Sequence, residues 1–337
     1  SSNFNINTDI NLDYFINVIK DKMVYISGLN TNFKFSRNNQ NVSFENLFGS
    51  LSITNKRIYT GSEIRNLNAD LIFNQSKLIF SASANFNNMF DGELDGKLLM
   101  NPNVQTVLLE RVWLKYMNKE WENVNDIAVD ISPDYIKLKD FQIAHNKTLL
   151  YGSGQMLTEG NLDFIFGLKD LDGGLITHYS QGIANPKLKI DLDFETTVKG
   201  TLEEPLIESK LSANDIKYDK MNLGNLACGL NYANSLVKFD VRFLDSEMNY
   251  NAPRLVFDGQ LPIYVGTKSV ESIFLKDKEL NIRLISKGFN LNTFGDLLPF
   301  IGIRNGILES DVNITGTFDD VKYSGSLKLN DGFFRLK

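Results

Sequence analysis

The chain of 337 residues has one cysteine, two histidines, two tryptophans and seven prolines. The lone Cys228 excludes an internal disulfide framework and leaves cytosol and periplasm equally open. With two histidines and one cysteine there is no HExxH or CxxC, and GxSxG and phosphate-loop patterns are also missing, so the common zinc, thiol, serine and nucleotide mechanisms lack their signatures. No stretch approaches the ~20 apolar residues of a membrane-spanning helix. Basic excess is lacking too: 35 Lys and Arg stand against 41 Asp and Glu, a formal net charge of −6. That balance argues against nucleic acid as a partner, because phosphate neutralisation supplies most of such affinity. Hydrophobic residues at 42% and charged residues at 23% are ordinary globular usage, which excludes wholesale disorder. The chain starts at Ser1 without an initiator methionine or signal peptide and stops just after an apolar run. It reads as part of a longer protein, folding as two domains or as one elongated array.

What is present is alternation. Leu162, Phe164 and Phe166 form one set, and Leu188, Ile190, Leu192 and Phe194 alternate with Lys189, Asp191 and Asp193. Phe239, Val241 and Phe243 alternate with Asp240 and Arg242. Leu280, Ile282 and Leu284 alternate with Asn281 and Arg283, and Val312 and Ile314 with Asp311 and Asn313. A period of two sends apolar side chains to one sheet face and charged ones to the other. Buried parallel strands would be apolar on both faces, so the pattern predicts mostly antiparallel sheet with a dry and a wet side. Asp91-Gly92, Asp95-Gly96, Asp258-Gly259, Asn305-Gly306 and Asp331-Gly332 supply hairpin turn signals. The 39 asparagines are attributed to nucleotide bias rather than function.

Few helices are expected. Thr8 to Lys20 carries Ile10, Tyr14 and Val18 at helical spacing, and Val104 to Tyr116 carries Leu108, Val112 and Tyr116. Asn292 to Ile301 reads as a short helix interrupted by Pro299. The predicted division is 1–125, a β region holding helices at about 8–20 and 104–118, and 126–337, a repeating β segment.

The chemistry-bearing residues have plain structural readings. His145 is a polar strand-end residue, and His178 lies in a loop after Asp172-Gly173-Gly174. Trp113 and Trp121 fit core packing better than sugar or membrane contact. Asn41-Val42-Ser43 and Asn313-Ile314-Thr315 match glycosylation sequons, a frequent chance match in an Asn-rich chain. Among the carboxylate pairs Asp91/Glu93, Glu203/Glu204 and Asp319/Asp320, the last two occupy equivalent turns of an internal repeat. A solvated turn therefore explains them better than a glycosidase acid pair. No cofactor or metal is indicated, and the reading is non-enzymatic.

That repeat carries a resemblance. Val198-Lys199-Gly200-Thr201-Leu202-Glu203-Glu204 is echoed 116 residues later by Ile314-Thr315-Gly316-Thr317-Phe318-Asp319-Asp320, with a weaker echo at Gly92 to Leu99. Each copy follows one alternating strand and opens another. From Leu280 to Leu336 the order is an alternating strand, a segment ending Leu297-Leu298-Pro299, then Asn305-Gly306-Ile307-Leu308, Gly316-Thr317 with its acidic turn, and Gly325-Ser326-Leu327-Lys328-Leu329-Asn330-Asp331-Gly332. This resembles the TamB branch of the AsmA-like proteins, whose pattern is a glycine-threonine step, a short acidic turn usually ending in proline, and a glycine-spaced strand. The first copy keeps the proline, Pro205, whereas the second has Val321 there. Ile131 to Asp172 is in the same style, and residues 1–120 share only its general texture.

The resemblance implies an all-β fold with a few short helices: an elongated, mostly antiparallel curved sheet closing into a taco-like trough with an apolar interior. It implies a periplasmic location in a diderm bacterium, with the parent protein anchored in the inner membrane. The implied partners are phospholipid, the membrane through parts outside this sequence, and an outer-membrane barrel of the Omp85 type; the implied function is phospholipid transport, joined in some members of the family by outer-membrane protein assembly. The fifteen alternating residues from Leu162 to Ile314 would line the groove. Two other readings remain open: a self-filled β-sandwich or solenoid serving adhesion or assembly, and a β-helix carbohydrate enzyme with a carboxylate cleft.

Overall fold

The computed structural model describes residues 4–19, 22–37, 47–87, 89–116, 118–173, 188–218, 221–244, 253–267, 273–291 and 301–336. The fold is all-β, an antiparallel sheet of twenty strands, and no helical element occurs among the described residues. The strands fall into two compact units, the first Ser1–Asn146 with Leu150–Glu159, the second Lys147–Leu149 with Gly160–Lys337. Residue 125, where the sequence suggested a boundary, lies within the first.

The first unit holds β1 (Phe4–Ile19), β2 (Lys22–Arg37), β3 (Leu47–Tyr59), β4 (Glu63–Asn74), β5 (Lys77–Phe86), β6 (Phe90–Met100), β7 (Gln105–Tyr116), β8 (Lys119–Asn123), β9 (Ile127–Ile131) and β10 (Tyr135–His145), together with most of β11 (Thr148–Leu157). From β1 to β7 each strand pairs antiparallel with the next, and β8 and β9 follow one another along β7. One face is apolar. Phe33, Leu51, Leu71, Phe80, Gly96 and Leu109 lie opposite one another in sequence across six strands. The other face is polar, as in the row Asp9, Asn32, Ser52, Asp70 and Ser81.

Two of the expected helices are strands instead. Thr8 to Ile19 lies in β1, with Leu12 opposite Leu29, and Gln105 to Tyr116 is β7. A spacing of four is also a multiple of two, so Ile10, Tyr14 and Val18 fit either period, and the β-branched, Asn- and Asp-rich composition decides for strand. In β7 the register shifts where Asp95 pairs Arg111 and Gly96 pairs Leu109, leaving Glu110 as an extra residue. That bulge moves the apolar positions from Val107 and Leu109 to Val112 and Leu114, so a period-two strand imitates a helical stripe. Of the third expected helix, residues 292–300 lie outside the described residues, and Ile301 opens β19 below.

The second unit holds β12 (Asn161–Asp172), β13 (Leu188–Thr201), β14 (Pro205–Tyr218), β15 (Met221–Ala233), β16 (Leu236–Leu244), β17 (Leu255–Leu261), β18 (Leu280–Asn290), β19 (Ile301–Gly316) and β20 (Val321–Leu336). Each pairs antiparallel with the next.

The repeat seen in the sequence is a repeat of turn geometry. After β13, Thr201 N–H donates to Glu204 O (3.3 Å) and Glu204 N–H donates to Thr201 Oγ1 (3.0 Å). After β19, Thr317 N–H donates to Asp320 O (3.1 Å) and Asp320 N–H to Thr317 Oγ1 (3.2 Å). Gly200 and Gly316 precede these turns with φ of +85° and +100°, the region where a Cβ is disfavoured. A third copy joins β9 to β10, where Ser132 N–H donates to Tyr135 O (2.8 Å) and Tyr135 N–H to Ser132 Oγ (3.1 Å). The paired acids Glu203/Glu204 and Asp319/Asp320 are exposed in these turns.

Candidate functional site

The register of the second unit brings the alternating residues onto one face. Across β12 to β20 one row runs Phe166, Thr196, Ser209, Leu230, Phe239, Gly259, Ile282, Ile314 and Tyr323, each directly opposite the next. The neighbouring row runs Leu168, Phe194, Leu211, Cys228, Val241, Phe257, Leu284, Val312 and Gly325. Beyond it lie Leu171, Leu192, Ala213, Leu226, Phe243 and Leu255, and on the other side Phe164, Val198, Ile207, Tyr232, Val237 and Leu261. Leu162 pairs Gly200 and Leu280 pairs Gly316 at the rim. Ile190 shares the parity of Leu192 on β13, and Leu188 opens that strand opposite Tyr218. Fourteen of the fifteen residues singled out in the sequence thus belong to one side of one sheet, and Leu188 is placed by register alone.

Cross-strand pairing makes this placement hard to undo, because a slip of one residue would turn every apolar side chain to the wet side. The opposite face carries rows such as Gly229, Asp240, Asp258, Arg283, Asn313 and Ser324. There Arg242 grips Asp240 through both carboxylate oxygens (2.8 and 2.9 Å).

Aromatic rings tile the apolar face. Phe164 stacks on Phe166 (centroids 5.7 Å apart), Phe239 tilts against Phe257 (5.0 Å) and Phe243 against Phe289 (5.4 Å). The few polar groups on this side are satisfied locally, since Thr196 and Ser209 hydroxyls meet at 2.8 Å and Ser286 Oγ donates to Leu308 O at 2.6 Å. Such pairing removes the cost of holding a hydroxyl among hydrocarbon. Cys228 is half-buried here, and burial, with the Asp240 charge adding to it, pushes its thiol up.

Burial is uneven over the face. Tyr232 and Leu280, in the row nearest one rim, are each only 4% exposed, whereas Phe257 is 38% and Tyr323 73% exposed. At Tyr232 the cover is the β17–β18 connection, which folds over that rim, while toward the other rim Ala213, Leu244 and Phe289 are also buried. Pro262 of the connection is fully buried and Ile263 bridges to Phe274. Val265 N–H donates to Tyr232 Oη (2.8 Å), which donates back to Val265 O (3.0 Å). Thr267 N–H reaches Leu202 O (3.0 Å), Tyr264 Oη donates to Glu203 O (3.1 Å), and Phe274 meets Phe318 edge-on at 5.2 Å. The connection therefore ties the first acidic turn to the second. Its sequence is irregular, and nothing in the alternation pointed to it.

The first unit has an apolar face of its own, built from residues the sequence did not single out. A hollow of about 310 Å3 opens there, walled by Leu67, Phe86, Leu94 and Leu114 and floored by Ala82, Ala84 and Gly92. An added Cβ at Gly92 would meet only Leu114 at 3.6 Å and Phe86 at 4.0 Å, so no steric demand of the backbone calls for glycine there.

The expected chemistry-bearing residues are dispersed. His145 ends β10, its Nδ1 2.6 Å from Glu120 O and its ring tilted on Trp121 at 5.4 Å. Glu93 pairs with Arg111 (3.0 Å) and Asp91 accepts from Asn85 (2.8 Å). His178 and Asn41 lie outside the described residues. Among the described residues no group of three His, Cys, Asp or Glu could hold a metal ion, and no helix is long and apolar enough to cross a membrane. No protein-family model, curated protein or solved structure matches the chain.

Proposed function

We propose that the chain is a non-enzymatic, TamB/AsmA-like segment that shields phospholipid acyl chains along its apolar sheet face. The observation that carries this reading is the register of the second unit, where two largely apolar rows, one of them broken by the Thr196–Ser209 pair and by Gly259, run over nine strands and the reverse side carries the charges. An apolar sheet face needs a cover from another sheet, helices or a ligand. The β17–β18 connection covers one rim and leaves Phe257 and Tyr323 exposed. Hydrocarbon is the natural cover for the remainder.

The energetics favour passage over capture. Burial of a 16-carbon chain at ~0.8 kcal/mol per methylene is worth roughly 13 kcal/mol against water. Relative to a membrane the net change is close to zero, since the chain is surrounded by hydrocarbon at both ends. A face without directional polar groups then lets lipids slide while headgroups stay wet. In this reading the protein works in the periplasm of a diderm bacterium, its parent is held in the inner membrane, and phospholipid moves toward the outer membrane, with an Omp85-type barrel as partner.

The test is to purify the chain from diderm cells and examine it by native mass spectrometry with lipid extraction. Bound phospholipid that disappears when Ile282→Asp is introduced supports the proposal. A lipid-free, highly stable monomer contradicts it and favours the self-filled sandwich.

A further inference from the structure

Among the described residues Asn55 is the one side chain buried with both a donor and an acceptor unpaired: it is 3% exposed, and neither Nδ2 nor Oδ1 has a hydrogen-bond partner. Its place makes this costly. On β3 it shares the parity of Leu51 and Ile53, opposite Leu29 on β2 and Leu67 on β4, so it stands on the apolar face of the first unit. An amide held among hydrocarbon without partners is among the more expensive groups a fold can keep. Asparagines elsewhere in the protein avoid that cost. Asn225, equally buried at 3%, accepts Asp215 N–H at 3.0 Å where β14 bulges, and Asn123 accepts Val112 N–H at 2.7 Å beside the bulge of β7.

Asn55 also borders a space. Leu67, directly opposite, is a wall of the apolar hollow of about 310 Å3 over Ala82, Ala84 and Gly92. That volume lies at the lower end of the ~300–1,000 Å3 of small-ligand sites, which combine an apolar lining with a few polar groups. The hollow is not a by-product of backbone crowding, since a Cβ at Gly92 would come no closer than 3.6 Å to another atom. A bridging water would need roughly two to four polar partners, and Leu29, Ile53 and Leu67 supply no side-chain polar group.

We propose that Asn55 and the hollow form a lipid site of the first unit, in which the hollow takes an acyl chain and the Asn55 amide reads the polar group at the head of that chain. The amide offers a donor and an acceptor side by side. It is matched by a lipid that brings a carbonyl and a hydroxyl close together, as the glycerol backbone of a monoacyl lipid does. There Nδ2 donates to the ester carbonyl and Oδ1 accepts from the hydroxyl. A diacyl backbone offers acceptors alone and leaves Oδ1 unpaired. The site rests on the reading of the apolar faces as lipid-bearing and adds to it a choice among lipids.

Native mass spectrometry of the full chain with three lipids tests this: palmitoyl lysophosphatidylcholine, its hexadecyl ether analogue, which lacks the carbonyl, and the 2-O-methyl form of that ether, which lacks the hydroxyl as well. The wild type is expected to bind them in that order, about fivefold more weakly at each step. Asn55→Leu should bind all three alike. It should also raise the urea midpoint of the lipid-free chain, because two unpaired polar atoms give way to an apolar side chain of similar shape. Ala84→Phe, which fills the hollow, should abolish the preference with Asn55 in place. A wild type that binds the three alike, a preference that survives Asn55→Leu, or a lower urea midpoint for Asn55→Leu would each overturn the site and leave the lipid reading standing. Binding of none of the three would overturn both.

Discussion

Ile282 and Ile314 face each other across β18 and β19 on the apolar side, while Arg283 and Asn313, one residue along, face each other on the reverse. Ile282→Asp or Ile314→Asp therefore places a carboxylate among Phe239, Gly259 and Tyr323 without touching the polar side. Each substitution should cost about 1–3 kcal/mol of stability and reduce bound phospholipid about tenfold, with the strand signal retained in circular dichroism. Asn281→Asp, on the reverse face, should change neither. Outright unfolding by Ile282→Asp would mean that the face is packed by protein.

Cys228 is the sole cysteine and lies between Leu211 and Val241 on the apolar side, so it reports on that side without engineering. Its thiol is raised by burial, and thiolate is the reactive form. Reaction with a disulfide reagent at neutral pH should be slower than for an exposed cysteine. The rate should still be climbing above the ordinary thiol value of ~8.5. Phospholipid should slow it further. A rate unchanged by lipid would place the occupant elsewhere.

The three hydroxyl-capped turns make a separable claim about stability. Thr201→Val or Thr317→Val removes the side-chain bond to Glu204 or Asp320 N–H and should cost about 0.5–1.5 kcal/mol. Gly200→Ala should cost more, about 1–3 kcal/mol, because φ is +85° and the new Cβ would lie 2.6 Å from Glu204 O. Urea denaturation of the three variants checks the order.

Asp130 in β9 supplies an acid-sensitive contact in the first unit. The Lys139 ammonium bonded to its carboxylate holds it below the usual carboxylate range against the opposing effect of burial, and Thr106 Oγ1 donates at 2.9 Å. The folded value lies below the unfolded one. The stabilisation is therefore complete above the unfolded carboxylate range and is lost as pH falls through the folded value. Lys139→Met should lower stability at neutral pH and flatten its decline in acid. An unchanged acid slope would assign that decline to other carboxylates.

Most of the second unit was legible because its strands alternate cleanly. Leu192 and Phe194, or Ile282 and Leu284, state their face by parity alone, and cross-strand register only confirms that neighbouring strands agree. The second unit has bulges too, but those of β12 and β18 fall beyond the alternating runs, at Leu168/Leu171 and Lys287/Phe289. In the first unit, which was less legible, bulges fall inside the runs and change parity within them. Glu110 shifts β7, and Asn66, at φ +52°, shifts β4 against β5, so one face is read from odd residues and then even ones. The rim cover formed by the β17–β18 connection follows from contacts of Val265 and Thr267 backbone with distant turns, which no local pattern encodes.

In the proposed function, acyl chains contact one side of the sheet and not the other. Cross-linking with a phospholipid carrying a photoactivatable group in its acyl chain, followed by peptide mapping, tests it with single-residue resolution, because neighbouring residues point to opposite sides. Adducts are expected on Phe239, Val241, Ile282 and Ile314 and not on Asp240 or Arg283. Adducts spread equally over both sets, or confined to Asp240, Arg242 and Arg283, would contradict it.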